Sequence, residues 1–521
     1  MRRLLRAESV RDASGTLGTT ILVDGGRIAA VGTDEAGNGP ARDLGGVVVP
    51  GLRDAHFHPI GYAAALQRPS LKTAADFDEV CDRIREALRG RPEGSSLVAL
   101  RLDDEHLAEG RLPDRNVVDR AAPDHPVLLI RSCGHIAVAN SAALEAAGLD
   151  PSVPDPPGGS FDRDGAGRLT GVVRETAVDL VARPVDALTP ALGAEQVAAA
   201  MTAAASVGLT GMGAVVAAGS SMWGAGGSEL DALLGAAGSI PIDLRVLVAA
   251  GDPDELRRAA ERIAEAPGRV GFLGVKLFSD GSFGGHTAAM LEPYTDRPGE
   301  RGTDRLDPEW ALRMARTSLG LGGKVAVHAI GDAANRAVLD MMETLVAGGA
   351  DPADLRVEHA SVLTASDIER FGRIGVTASV QPAFLASEYG WVERRVGPER
   401  IRRTYAFRSL LEAGAPLAGG SDCPVEPPHP LAGMAAARDR CGVVPEEGLD
   451  AGDALRLFTE WSARAIGVEG RLVPDAPATF TVLDGDPVDA SADGLRSTRV
   501  LSVWVDGAPV EVPSGLQVWN D

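Results

Sequence analysis

The stretch Val47-Val-Val-Pro-Gly-Leu-Arg-Asp-Ala-His-Phe-His-Pro59 decides the fold. Its three valines predict a buried strand, Pro50 and Gly51 bend the chain, and a second short run ends at His56 and His58. Alternate side chains of a strand share a face, so His-x-His points two imidazoles the same way. Two neutral imidazoles on one face are half of a divalent-metal site. Because the pattern alone also fits solvated or core histidines, the downstream sequence must decide.

Composition is that of a globular protein. The chain has 521 residues, 45% hydrophobic and 24% charged, enough for a large barrel with attachments or for two to three domains. A net charge of −22 disfavours nucleic acids and anionic membrane surfaces as partners. No apolar leader or membrane span is indicated, so we expect a cytoplasmic protein. The spacing of the cysteines indicates neither a disulfide framework nor a cysteine zinc site; they are Cys81, Cys133, Cys423 and Cys441.

Both ends of the chain are rich in short strands and turns. Asp24-Gly25 separates two β runs near the start, and Asp506-Gly507 separates two near the end, which predicts hairpins. The middle of the chain alternates strand and helix. We therefore predict a composite β-sandwich domain from 1–50 and 468–521, flanking a central α/β domain at 51–467.

The central domain reads as a (β/α)8 TIM barrel. A barrel of this kind has a repeat of roughly 31 residues. His328 and His359 are 31 residues apart, which is one repeat, and His359 and Asp422 are 63 residues apart, which is about two. The first strand is followed by a large insertion at 60–200, which we expect to cover the C-terminal mouth as a lid and substrate-recognition region. The other predicted barrel strands are Gly208–Val216, Asp243–Ala249, Val270–Phe278, Lys324–Ala329, Leu355–His359, Val376–Val380 and Pro416–Gly420.

Candidate metal ligands lie at the ends of five barrel strands. Because the C-terminal ends of barrel strands meet at one mouth, these side chains should converge. Lys276 stands out, since only three of the 51 basic residues are lysines and the chain otherwise uses arginine for positive charge. The strand-end residues are His56, His58, Lys276, Asp280, His328, Asp332, His359 and Asp422.

The motifs resemble those of the amidohydrolase superfamily, in particular amidohydrolase family 3, the branch similar to N-substituted formamide deformylases. The resemblance covers nearly the whole chain and implies a metal-bearing barrel with a composite β-sandwich. Its motifs are Pro50-Gly-Leu-Arg-Asp-Ala-His-Phe-His58, Gly134-His-Ile-Ala-Val-Ala-Asn140, Gly171-Val-Val-Arg-Glu175, Val275-Lys-Leu-Phe-Ser-Asp-Gly-Ser282, Val327-His-Ala-Ile-Gly-Asp-Ala-Ala-Asn335, Glu358-His-Ala360 and Gly420-Ser-Asp-Cys-Pro-Val425.

The resemblance implies one or two divalent ions, zinc being the first expectation. One ion would be held by His56, His58 and Asp422, and a second by His328 and His359.

A carboxylate would bridge two such ions. Lys276 is the candidate bridge, carboxylated by CO2, because an apolar strand suppresses protonation of its amine. Three alternatives stay open: Lys276 pairs with Asp280 or a substrate acid, Glu175 is the bridge instead, or the site holds a single metal.

The implied chemistry is hydrolytic. A metal lowers the pKa of water toward neutrality, and Asp422 would take the proton and pass it to the leaving nitrogen. His135, the second catalytic candidate, would bind substrate or stabilise an oxyanion, unless it is a packed loop histidine. Asn140 and His286 are further substrate-binding candidates. Asp332 is another, although it equally suits a helix cap.

The sequence thus predicts a metal-dependent hydrolase of a non-peptide carbon–nitrogen bond in a small molecule, namely an amide, formamide or cyclic amide. An isomerase or hydratase on the same site is the nearest enzymatic alternative, and a catalytically silent binding protein is an alternative of another class. A homodimer is a family-level expectation. The substrate cannot be read from the sequence, because its recognition lies in the 60–200 insertion.

Overall fold

The protein is described from a computed structural model, which covers residues 2–32, 40–132, 134–156, 158–188, 191–219, 227–514 and 516. Three sheets organise these residues: an eight-stranded parallel sheet, an eight-stranded sheet built from both ends of the chain, and a five-stranded sheet that lies in sequence between the first and second strands of the parallel sheet. Cys133 and the last five residues of the predicted C-terminal domain lie outside the described residues.

The parallel sheet is the predicted TIM barrel. Its strands follow one another in sequence order around the sheet. Asp422 N–H donates to the His56 carbonyl and His58 N–H donates to the Cys423 carbonyl, both at 2.8 Å, so the end of the last strand meets the end of the first. Barrel strands 1 to 8, as they are called below, are Leu52–Phe57, Leu209–Ala217, Asp243–Ala249, Val270–Phe278, Lys324–Ala329, Leu355–His359, Thr377–Val380 and Leu417–Gly419.

Amphipathic helices cover the outside of the barrel. In Pro253–Ala264, Asp252 caps the first turn by accepting from two backbone N–H groups, and Leu256 and Ile263 share the buried face. The other helices from residue 194 onward are Ala194–Ser206, Glu229–Ala236, Pro308–Gly320, Asp332–Ala347, Ala365–Ile374, Phe384–Glu388, Val392–Arg400, Phe407–Glu412, Pro430–Asp439, Ala451–Leu457, Glu460–Ala465 and Ala492–Ser497, with 3₁₀ turns at Ala237–Ser239, Pro352–Asp354, Ile401–Arg403, Arg440–Gly442 and Pro445–Glu447.

The second sheet joins the two ends of the chain, as predicted. Val47–Pro50 pairs with Arg3–Asp12 on one side and with Phe480–Leu483 on the other. Gly51 then leads into barrel strand 1 at a point where a Cβ would lie 2.4 Å from Thr210 Oγ1, so the approach needs glycine. Its remaining strands are Gly15–Asp24, Arg27–Val31, Arg42–Asp43, Val500–Val505 and Ala508–Pro509. The exact limits of the two domains stay a prediction.

The third sheet belongs to the predicted insertion between barrel strands 1 and 2. The strands are ordered Gly159–Arg163, Leu169–Glu175, Ile136–Ala139, Val127–Arg131 and Leu97–Leu102. Its helices are Pro59–Leu66, Phe77–Leu88, Arg115–Asp119, Ser141–Ala146 and Thr176–Ala187. Residues of the insertion line the cavities at the barrel mouth. The insertion is called the lid below, and its role in substrate recognition stays a prediction.

Two negative expectations can be compared with the described residues. Within them, no helix combines the length and the apolar character needed to cross a membrane. Cys81, Cys423 and Cys441 are free thiols.

Candidate metal centre

Three side chains from three barrel strands form a cluster at the mouth. The ligand atoms of His56, His359 and Asp422 all lie within 4.8 Å of one another, and all three residues are buried. Among the described residues this is the only such group of three or more. It takes His56 and Asp422 from one of the two predicted ligand sets and His359 from the other, and the division between two ions stays a prediction.

Glu358 orients the first ligand. Its Oε2 lies 2.5 Å from His56 Nδ1, and because an ionised carboxylate can only accept, Nδ1 carries the hydrogen. Arg356 donates to the same carboxylate from Nε and Nη2. Although burial would raise the pKa of Glu358, Arg356 and His56 hold it well below its usual value. His56 therefore presents Nε2 to the cluster.

Gln381 orients the second ligand in the same way. Its Oε1 lies 2.8 Å from His359 Nδ1, and since Asn and Gln oxygens accept, Nδ1 is the donor. Burial is the main cause that lowers the pKa of His359 well below its usual value, followed by the neighbouring His328. A neutral imidazole with its hydrogen on Nδ1 is the form that binds a metal through Nε2.

The third ligand is ionised. Burial would raise the pKa of Asp422, but the neighbouring histidines His56, His58 and His359 hold it well below its usual value. The same two carboxylates, Glu358 and Asp422, raise the pKa of His56 even though burial and Lys276 act to lower it. The cluster therefore attracts positive charge.

These atoms fit a bound cation. His56 Nε2 is buried without a hydrogen-bond partner among the described residues, and it lies 3.3 Å from Asp422 Oδ1. With the His56 hydrogen on Nδ1, the two facing atoms both offer lone pairs. A divalent ion between them would be bound by two imidazoles and a carboxylate, a donor set that suits zinc and other transition metals.

Two further histidines flank the cluster. His58 Nε2 lies 3.0 Å from Asp422 Oδ1, and the His58 ring centroid is 5.6 Å from that of His56. The ring of His328 is 4.5 Å from that of His359, but its Nε2 faces the Gly281 carbonyl at 3.0 Å. Both are therefore neighbours of the cluster but not members of the close group of three, and their role as metal ligands stays a prediction.

Lys276 lies in the barrel interior. It is 2% exposed, and its Nζ is 4.5 Å from the centre of the Phe278 ring. Burial is the main cause that lowers its pKa to about 8, against the attraction of Glu358 and Asp422. The alternative partner, Asp280, is used elsewhere: it accepts from the backbone N–H groups of Ala289, Ile330 and Gly331.

Two connected cavities open above the cluster. The inner one, of about 200 Å3, is lined by His56, His58, Lys276, Glu175 and Arg305 together with residues shared with the outer one. The outer cavity, of about 70 Å3, is lined by both aromatic and charged side chains. The shared lining is His135, His328, His359, Asp422 and Val425. The outer cavity adds Phe283, Phe384, Trp391, Lys72, Arg101, Arg131, Glu388 and Glu426.

The lid contributes His135 and Glu175. His135 Nδ1 lies 2.9 Å from Glu175 Oε2, and Arg305 donates to the same oxygen at 2.7 Å. The His135 ring is 5.5 Å from that of His328, so it reaches the metal cluster from the lid side. Glu175, the predicted alternative bridge, thus forms ion pairs with these two residues.

The structure places three predicted substrate-binding residues outside these cavities. Asn140 is fully buried and caps the helix Ser141–Ala146, and it also donates to the backbone of Ala122 and His125. Asp332 begins the helix Asp332–Ala347 and accepts from Leu291 N–H. Both side chains thus hold backbone in this structure, and their predicted contact with substrate stays a prediction.

His286 lines a separate groove. Its Nε2 lies 3.1 Å from Asp296 Oδ2, and the groove runs between the lid and the loop after barrel strand 4. His286 is absent from the lining of the inner and outer cavities. Its predicted contact with substrate stays a prediction, and the groove that it lines is a different one from the two cavities at the cluster.

The sequence analysis missed the residues that orient the ligands. Glu358 stands next to His359 in sequence, and Gln381 and Arg305 stand in no motif that we recognised. The adjacent Glu-His pair was the one available signal. Because neighbouring strand residues normally face opposite sides, that pair does not suggest a shared site.

Comparisons with known proteins agree with this geometry. The model of the amidohydrolase family matches residues 43–511. YtcJ of Bacillus subtilis (strain 168), whose name describes it as an amidohydrolase, is 34% identical over 487 residues, covering 89% of this chain and 88% of that protein. The N-substituted formamide deformylase of Arthrobacter pascens is 30% identical over 534 residues, covering 95% of each.

A solved structure agrees with the fold along nearly its whole length. It is the crystal structure of an uncharacterized metal-dependent hydrolase from Pyrococcus horikoshii OT3, with a TM-score of 0.75 and 27% identity, covering 95% of this chain and 99% of that one. These matches support a metal-dependent hydrolase. The chain belongs to the amidohydrolase family.

Proposed function

We propose that this protein hydrolyses a non-peptide carbon–nitrogen bond of a small molecule, as an amide, formamide or cyclic amide hydrolase. The observation that carries the proposal is the convergence of His56, His359 and Asp422 beside two cavities at the barrel mouth. The 30% identity to a formamide deformylase over 95% of both chains supports the choice of bond.

His56, His359 and Asp422 would hold the divalent ion, with zinc as the first choice for this donor set. When bound, such an ion activates water and polarises a carbonyl. His58 and His328 are the residues available to a second ion. The number of bound ions, one or two, can be measured, and it shows whether His58 and His328 act as ligands of a second ion.

Lys276 is the proposed bridging ligand after reaction with CO2. The neutral amine attacks CO2, a nitrogen–carbon bond forms, and one amine proton leaves to solvent. Burial favours the neutral amine that this reaction needs, and Lys276 faces the same inner cavity as the cluster. Arginine could not react in this way, which accounts for a lysine in a chain that has only three.

Asp422 is the proposed proton carrier. It is ionised and lies beside His56 and His58, so it can accept a proton from the attacking water and return it to the leaving nitrogen. His135 approaches the same space from the lid and would hydrogen-bond the substrate carbonyl. The outer cavity would receive the substituent on the substrate nitrogen, since it continues outward from the shared lining.

The proposal is tested by turnover of zinc-loaded protein on a panel of N-alkyl and N-aryl formamides and acetamides, with detection of both the released acid and the amine. Asp422→Asn should lower kcat by about 10²- to 10⁴-fold. A product of unchanged mass would instead identify an isomerase. Absence of both turnover and bound metal would overturn the enzymatic proposal and favour a silent binding protein.

Metal content per chain tests the bridge. Protein prepared without chelator in bicarbonate buffer should hold close to two ions, falling to one or none in Lys276→Ala. One ion in both proteins would mean a mononuclear site, and Lys276 would then have another role.

A further inference from the structure

Glu175 sits at the junction between the lid and the barrel. It is the last residue of the lid strand Leu169–Glu175, has a positive φ of 53°, and is 6% exposed. Its backbone N–H donates to the His135 carbonyl at 2.8 Å, so the two residues are joined through backbone as well as side chain. A Cβ at Gly281 would lie 2.4 Å from Glu175 Oε1, so the barrel loop is shaped to admit this carboxylate.

Arg305 holds the same carboxylate from the barrel side. Its guanidinium donates to Glu175 Oε2, and its own backbone N–H donates to the Ser279 carbonyl at 2.8 Å, just beyond barrel strand 4. Burial acts to raise the pKa of Glu175, but His135 and Arg305 outweigh it and bring the pKa to about 2. Glu175 is thus a charged hydrogen-bond acceptor that contacts His135 on the lid side and Arg305 on the barrel side.

This acceptor decides which atom of His135 carries hydrogen. A carboxylate can only accept, so His135 Nδ1 must donate to it. The atom whose protonation state can still vary is Nε2, on the opposite edge of a ring that lines both cavities. Carboxylates that orient a histidine through Nδ1 are a general means of fixing its tautomer.

We propose that Glu175 is a positioning residue rather than a metal ligand: together with Arg305 it holds His135 so that Nε2 is directed to the carbonyl oxygen of the substrate. The inference rests on the proposed hydrolysis for the identity of the substrate group. The geometry of the three side chains does not depend on it. Arg305 acts on His135 indirectly, because it anchors Glu175 to the barrel.

A double-mutant cycle separates positioning from a structural effect. In the wild-type background, Glu175→Ala should lower kcat/KM on the best formamide of the panel about 10- to 100-fold, mostly through kcat. In the His135→Ala background the same change should have less than a twofold effect, because the residue that Glu175 orients is gone. Equal losses in the two backgrounds would overturn the proposal.

Metal content tests the competing role. Glu175→Ala should retain the zinc content of the wild type. If Glu175 were instead a bridging ligand, the variant would bind fewer ions. A fall in metal per chain would therefore overturn the proposal and restore Glu175 as a ligand. Asp162→Asn is the matched control, since it breaks the Arg174–Asp162 ion pair beside the same lid strand and should change neither activity nor metal content.

A third measurement needs no substrate. In protein labelled with ¹⁵N-histidine, the His135 signals, identified by their loss in His135→Ala, should show hydrogen on Nδ1 in the wild type. In Glu175→Ala they should shift toward a mixture of tautomers. Unchanged signals would overturn the proposal even if no formamide is turned over, so its failure is distinguishable from failure of the proposed function. If Glu175→Ala does not fold, Glu175→Gln serves in all three experiments, with a smaller expected loss of about 3- to 10-fold.

Discussion

Replacing Lys276 by methionine should make the metal-free protein more stable. Lys276 is 2% exposed, and burial lowers its pKa from 10.5 to about 8. At pH 7 the folded protein therefore holds an ammonium group in surroundings that disfavour it, at a cost of about 3 kcal/mol. Methionine has a similar length and no charge, so Lys276→Met should raise the free energy of unfolding by about that amount.

The lowered pKa of Lys276 also predicts how the free energy of unfolding depends on pH. Between about pH 8 and 10.5 the folded protein has lost the Lys276 proton, whereas the unfolded chain still holds it. The wild-type free energy of unfolding should consequently rise through this interval relative to Lys276→Met, and the gap should close. Urea unfolding at several pH values, in chelator and CO2-free buffer, measures both proteins.

The control is Lys324→Met. Lys324 pairs with Asp354 near the surface, so its loss should change the free energy of unfolding by less than about 1 kcal/mol. A Lys276→Met protein that is no more stable than wild type at pH 7, or a gap that stays constant to pH 10, would refute the reasoning from burial.

Three further changes test particular contacts. Glu358→Gln removes the charged partner of His56 Nδ1 and should weaken metal binding about 10- to 100-fold in competition with a chelator; unchanged affinity would contradict the proposed ligand role of His56. Asn140→Ala should cost about 1–2 kcal/mol in chemical denaturation and leave kcat/KM unchanged, whereas a loss of activity at unchanged stability would restore its substrate role. Gly281→Ala places a Cβ 2.3 Å from Thr287 Oγ1 and 2.4 Å from Glu175 Oε1 and should lower kcat at least tenfold; normal kinetics would mean that both side chains can move without consequence.

Much of the fold was predictable because its signals are local and repeated. The bounds predicted for Lys324–Ala329 and Leu355–His359 are those of the structure. A buried parallel strand is a short apolar run, and the chain repeats that run between amphipathic helices at a nearly constant spacing. The terminal sheet was recognisable for a similar reason, since Asp-Gly turns mark hairpins wherever they occur.

The grouping of the ligands was not predictable in this way. His56 and His58 are adjacent in the pattern, yet the close group consists of His56, His359 and Asp422. Which strand ends approach one another depends on barrel closure and on backbone turns at the ligands themselves. His359 and Asp422 have positive φ values of 74° and 57°, and these backbone conformations cannot be predicted from the residue types alone.

Charge balance links the metal to the proposed carbamate. Glu358 is matched by Arg356, whereas histidines and, without metal, the Lys276 ammonium oppose the charge of Asp422. Carboxylation of Lys276 would convert that positive charge into a negative one and leave two buried anions at one cluster. A divalent cation restores neutrality in that state, whereas an ammonium does so in the metal-free state. Metal binding thus offsets the cost of carboxylating Lys276, and carboxylation removes the ammonium that would repel the metal. CO2 and metal should therefore be taken up together, and both relieve the instability that the Lys276 ammonium causes in the metal-free protein.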